Sequence, residues 1–158
     1  MSHQLTFEDR IDITDYADIE CRKALDKKGL YYTKFGFDHR ESKIPSKQWF
    51  KFPKTLRAAP DFIVVTDKTW FVEAKGCTKD LRLKIADYHA YDEWDNGIIK
   101  GAGLLLFIYS TDLNYGEFVM FQTLKKKILL NCYPIKQYND NNKEYYLIPI
   151  GDVFEKRN

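Results

Sequence analysis

The chain has 158 residues, 44% of them hydrophobic and 30% charged, a length that one hydrophobic core can serve and a composition that excludes global disorder, collagen-like repeats and a coiled coil. The longest apolar run, Ala102 to Tyr109, falls far short of the roughly 20 residues of a membrane-spanning helix, and Glu8, Asp9 and Asp12 stand where a secretory signal would carry basic residues. A formal charge of +2 neither demands nor excludes a polyanionic partner, so the distribution of charge matters more than its sum.

In chain order, Thr14 is placed to cap a first helix that runs to about Lys28, where Gly29 ends it. Tyr16, Ala17, Glu20, Cys21 and Ala24 occupy one contiguous arc of that helix, so Glu20 falls within its apolar face, where a carboxylate is costly without a partner. Leu30–Phe37 alternates and is aromatic, which predicts a strand. The segment from Arg40 to Arg57 is irregular and basic: Arg40, Lys43, Lys47, Lys51, Lys54 and Arg57 face the single anion Glu41, a local balance of +5. Trp49, Phe50 and Phe52 are interleaved with these cations. Cations of this kind neutralise phosphates, and aromatic faces stack on exposed bases.

Phe62–Val65 and Trp70–Ala74, rich in Val, Phe and Ile, predict two strands joined by a tight turn over Thr66–Thr69. Lys79–Asp95 places Leu81, Ile85 and Tyr88 at helical spacing and stops at Asn96-Gly97, which predicts a second helix carrying Lys84. Leu104–Tyr109 reads as a fully buried strand and Gly116–Gln122 as another. A short helix over Thr123–Leu130 and a last hairpin pairing Tyr133–Tyr138 with Tyr145–Ile150 complete a mixed α/β order over residues 1–158, read as one domain.

The chemistry gathers on the central hairpin. Asp61, after Pro60, opens its first strand, and Glu73 and Lys75 close the second, Glu73 lying twelve residues after Asp61. Alternation puts Glu73 and Lys75 on one face, and the hairpin brings Asp61 beside them. Two carboxylates with hard oxygen donors suit Mg2+ or Mn2+, which lowers the pKa of bound water, while a lysine alongside offsets charge on a phosphoryl transition state.

Pro60-Asp61, the hairpin and Glu73-Ala74-Lys75 resemble the signature of the PD-(D/E)XK nuclease superfamily. That resemblance implies a restriction-endonuclease-like core, a central mixed β-sheet flanked by helices, here with an extra C-terminal β-hairpin. It implies metal-dependent hydrolysis of DNA phosphodiesters by Asp61, Glu73 and Lys75, with Glu20 matching a glutamate that many resolvase-like members carry on the first helix as a further metal ligand. Gly76 after the lysine, followed by the basic Arg82 and Lys84, is similar to phage endonuclease I-type Holliday junction resolvases over roughly Thr14–Ser110. This finer likeness implies branched DNA as substrate and a homodimer; the abundance of Lys, Asn, Tyr and Ile suits an AT-rich, phage-encoded origin, and the missing secretory signal an intracellular setting. DNA contacts are expected from Lys43, Lys47, Trp49, Lys51, Lys54, Arg57 and Lys84. The alternatives are a sequence-specific restriction or homing-type endonuclease and a non-catalytic nucleic-acid-binding protein that keeps the fold. His3, His39 and His89 are dispersed without metal-ligand spacing, and three distant cysteines, Cys21, Cys77 and Cys132, fit reduced thiols.

Overall fold

The computed structural model describes residues 6–154; His3 lies outside them. Helix α1 spans Phe7–Lys27 and starts earlier than the position of Thr14 predicts. Thr6 is the cap: its hydroxyl accepts the Asp9 N–H at 3.1 Å, and the Asp9 carboxylate accepts the Thr6 N–H at 2.9 Å. This reciprocal pair stabilises a helix start by about 1 kcal/mol, which lets two further turns, residues 7–13, precede Thr14. Gly29, at φ +65°, ends the helix as expected.

Strand β1 (Tyr31–Lys34) follows, and the basic segment folds into isolated turns, among them α2 (Ser46–Trp49) and α3 (Lys54–Arg57). Strands β2 (Phe62–Val65) and β3 (Thr69–Cys77) form the expected hairpin, with Phe62 opposite Val72. The second predicted helix divides in two. Asp80–Lys84 is strand β4, and only Ile85–Trp94 is helical, as α4. Leu81 and Leu83 alternate with Asp80, Arg82 and Lys84, a period-2 pattern that wins because a distant strand is available to pair with it. Strand β5 (Gly103–Ser110), strand β6 (Tyr115–Met120) and helix α5 (Phe121–Asn131) match their predictions closely. The C-terminal hairpin forms as β7 (Ile135–Gln137) and β8 (Glu144–Pro149), after which α6 (Ile150–Val153) is a single turn.

The result is α/β with a central mixed sheet of order β1-β2-β3-β5-β6, in which β3 and β5 run parallel and the other pairs antiparallel. A second sheet, β4-β8-β7, is antiparallel throughout. Helix α1 covers one face of the central sheet, packing Ala17, Cys21 and Leu25 against Phe62, Val72, Ala74 and Phe107. On the other face Phe71, Leu104 and Leu106 meet Tyr91 and Trp94 of α4, Phe121 and Leu124 of α5, and Leu81, Leu83 and Ile148 of the second sheet. Each fully buried large apolar side chain contributes about 2 kcal/mol, so both faces are firmly held. Among the described residues no helix is long and apolar enough to cross a membrane.

Candidate active site

Strand β3 decides the geometry. Its alternation sends Val72 and Ala74 under α1 and turns Phe71, Glu73 and Lys75 towards α4. Extending the β2–β3 register by one residue sets Asp61 opposite Glu73. Asp61 is fixed there because its Oδ2 accepts the Ala74 N–H at 2.8 Å, while its Oδ1 lies 3.7 Å from Lys34 Nζ. Directly after Lys75 the chain must pass α1. A Cβ on Gly76 would stand 2.3 Å from the Ile13 carbonyl oxygen, so this position admits only glycine without displacing the helix.

Glu73 is nearly buried. Its Oε1 accepts the Tyr91 hydroxyl at 2.8 Å and lies 3.3 Å from Lys75 Nζ. Its Oε2 is buried with no hydrogen-bond partner. Burial, reinforced by the charge of Asp61, lifts the Glu73 carboxyl to about 8. Lys75 sits between two acids, 3.3 Å from Glu73 Oε1 and 3.3 Å from Asp87 Oδ2. Burial would favour the neutral amine, but Tyr91, Asp87 and Glu73 outweigh it and hold the ammonium well above its ordinary value. Burial likewise opposes the charge on Asp87, yet Lys75 and Lys54 keep that carboxyl well below the usual range. Lys54 closes the chain of charges at 2.9 Å from Asp87 Oδ1.

These groups fit a divalent cation. A buried carboxylate oxygen without a donor, set beside a second carboxylate that repels it, is the environment that a hard cation relieves. Asp61 and Glu73 would hold the ion. Among the described residues no three His, Cys, Asp or Glu side chains converge, so water, backbone carbonyls and phosphate oxygens would supply the remaining ligands.

Asp61, Glu73, Lys75 and Lys84 line one cavity of about 400 Å³. Glu20 stands apart from it. Ala17, Cys21 and Leu25 set the buried face of α1, Tyr16 is 58% exposed, and the Glu20 carboxylate pairs with Lys23 at 3.0 Å. The helix presents Thr14 and Asp15 to the cavity instead. Of the basic segment, Lys54 reaches the site through Asp87. Lys43, Lys47 and Lys51 are exposed and do not line the cavity. The Arg57 Nε donates to the Phe52 carbonyl at 3.1 Å. Trp49 rests against His39 and Phe52, ring centroids 5.0 and 5.8 Å apart, and lines a separate apolar pocket of about 300 Å³. Burial pushes the Cys77 thiol up to about 12, with Asp80 adding to the effect, so it stays protonated.

Sequence reasoning missed Asp87 and Tyr91. Their spacing of four residues on a helix puts them on one face, a signal obscured when the helix is started six residues early at Lys79.

No protein-family model matches the sequence, and no curated protein matches it. Among solved structures the chain is similar to a nuclease from a fusselovirus, with a TM-score of 0.46 and 10% sequence identity, over 96% of this chain and 89% of that one. A likeness of that degree says nothing about the chemistry of either site.

Proposed function

We propose that the protein hydrolyses phosphodiester bonds in DNA with Mg2+ or Mn2+ held by Asp61 and Glu73. The observation that carries this reading is the buried, partnerless Glu73 Oε2 beside Asp61, with Lys75 held in its charged form against the same carboxylate. When bound, such an ion makes water a better nucleophile and offsets charge on the phosphate. The Tyr91 hydroxyl orients Glu73 through Oε1, leaving Oε2 for the cation. Lys75 Nζ, as an ammonium, acts as hydrogen-bond donor and charge partner for a phosphoryl oxygen, not as a base. Asp87 positions Lys75, and Lys54 in turn positions Asp87. A protein that only binds DNA gains nothing from burying a carboxylate beside a polyanion, which disfavours the purely binding alternative.

The substrate we propose is branched DNA. Exposed Lys43, Lys47 and Lys51, with Phe50 64% exposed among them, suit a backbone with unpaired bases close by. A four-way junction offers two symmetric strands, and a homodimer would match that symmetry. The test is incubation with linear duplex, single-stranded, flap and four-way-junction DNA, with Mg2+, with Mn2+ and with EDTA. Metal-dependent cleavage strongest on the junction is expected. Cleavage of plain duplex at one sequence would favour the restriction-type alternative, and no cleavage of any DNA with either metal would refute the hydrolytic reading.

A further inference from the structure

The cavity has a second wall to which the hydrolytic chemistry assigns no role. Alternation along β4 buries Leu81 and Leu83, each 1% exposed, and turns Arg82 and Lys84 to the cavity, with Asp80 at the other end of the strand. Tyr145 of β8 is the register partner of Lys84 and so shares its face of the sheet. Tyr138, just beyond β7, packs against Tyr145 with ring centroids 4.4 Å apart and the planes tilted by 40°.

Three cations gather on these two rings. Arg10 lies 4.9 Å and Lys84 5.9 Å from the Tyr138 ring, and Arg82 lies 5.5 Å from the Tyr145 ring. Arg10 is paired with Asp140. Arg82 and Lys84 form no ion pair among the described residues, and Arg82 Nη1 is buried without a hydrogen-bond partner. Lys143, exposed at the approach to β8, lines the same cavity. Burial lowers the Lys84 ammonium from its ordinary value; Asp87 opposes this, and Lys75, Lys143 and Lys54 reinforce it. Cations so crowded, with a donor left unused, are poorly compensated within the protein. Aromatic faces steady them and leave their charge available to an anion.

We propose that this wall is a phosphate clamp, in which Arg82, Lys84 and Lys143, braced on the Tyr138–Tyr145 pair, bind the DNA backbone beside the phosphate being cleaved. The guanidinium supplies a planar fork for phosphate oxygens, and the two ammonium groups add point charges along the strand. The clamp rests on the hydrolytic reading for what happens next to it, but its binding role can be measured without any chemistry. It routes the DNA across the second sheet, on the C-terminal side of the site.

The experiment is fluorescence anisotropy with labelled single-stranded and duplex DNA in EDTA over a salt series. It compares wild type with R82Q, K84Q, K143Q and R82K, each checked for folding by circular dichroism. Each neutral variant should flatten the plot of log affinity against log salt by about 0.7–0.9, the share of one phosphate that is no longer neutralised, and R82K should keep the wild-type slope. Lys143 is exposed, so K143Q keeps the test intact if a more buried substitution disturbs folding. Wild-type slopes in all folded neutral variants, while the wild type cleaves DNA with Mg2+, would overturn the clamp and leave the hydrolytic reading standing. Flattened slopes with no cleavage under either metal would support the clamp and remove that reading. A wild-type protein that binds no DNA at low salt would overturn the clamp outright.

Discussion

Replacing Glu73 by glutamine is expected to make the metal-free protein more stable while abolishing cleavage. The Glu73 side chain is 12% exposed, and burial, with the Asp61 charge beside it, lifts its carboxyl from 4.5 to about 8. The unfolded chain releases this proton near the lower value and the folded chain near the higher one. Between them the folded state binds more protons, so stability is full below 4.5 and is lost as pH rises towards 8. Each pH unit in that window costs about 1.4 kcal/mol, which brings the penalty at pH 7.5 to about 4 kcal/mol. Glutamine keeps the shape and has no charge to desolvate, so E73Q lacks this slope. Urea unfolding at a series of pH values in chelator measures the difference between the two proteins. It should grow by about 4 kcal/mol from pH 4.5 to 7.5, a midpoint shift of about 2 M at a slope near 2 kcal/mol per M. Mg2+ should then narrow the gap by stabilising the wild type alone. A gap that does not change with pH, or an E73Q protein that is the less stable at pH 7.5 in chelator, would refute the reasoning.

Asp61→Ala should eliminate metal-dependent cleavage and leave DNA binding equal or tighter, because a charge that repels phosphate is gone; full activity in this variant, or in EDTA, would contradict the assigned site. Lys75→Ala should lower the single-turnover rate by orders of magnitude at saturating protein, and Asp87→Asn, which frees the ammonium from its position, by roughly tenfold to a hundredfold with little change in DNA affinity. The basic segment should divide: K47Q with K51Q flattens the salt dependence of binding, whereas K54Q, through Asp87, lowers turnover, as anisotropy and quenched-flow cleavage would separate. Gly76→Ala drives a Cβ to 2.3 Å from a backbone oxygen of α1, and chemical denaturation should show a loss of about 3 kcal/mol.

The parts of the fold that sequence reasoning recovered are those whose signals are local. The Thr66–Thr69 turn, the continuous apolar run of β5 and the left-handed Gly29 each depend on neighbours a few residues away. The convergence of Asp61, Glu73 and Lys75 is likewise legible, since one hairpin places all three. Sequence patterns mislead where the deciding partner is remote. Leu81, Ile85 and Tyr88 fit a helix, and the competing alternation of Asp80–Lys84 gains its advantage only from β8, with Lys84 opposite Tyr145. Glu20 illustrates a second difficulty: a small rotation about the helix axis separates an inward from an outward carboxylate, and packing of Ala17, Cys21 and Leu25 sets that rotation. Asp87 and Tyr91 escape sequence reasoning for a related reason, because strand β4 and helix α4 read there as one element.

The pairing of β4 with β8 also bears on how the protein emerges during synthesis. A chain grown only through β6 already holds Asp61, Glu73 and Lys75, but β4 has no partner strand, and Leu81 and Leu83 lack Ile148 of β8 beside them. Loop closure over more than sixty residues of separation, from Lys84 at Tyr145, makes this a late and slow pairing. An incomplete chain therefore carries these three charged residues together with an uncovered strand edge, a surface prone to wrong pairing. Interruption of synthesis before residue 144 should leave an aggregating fragment and not a smaller folded protein.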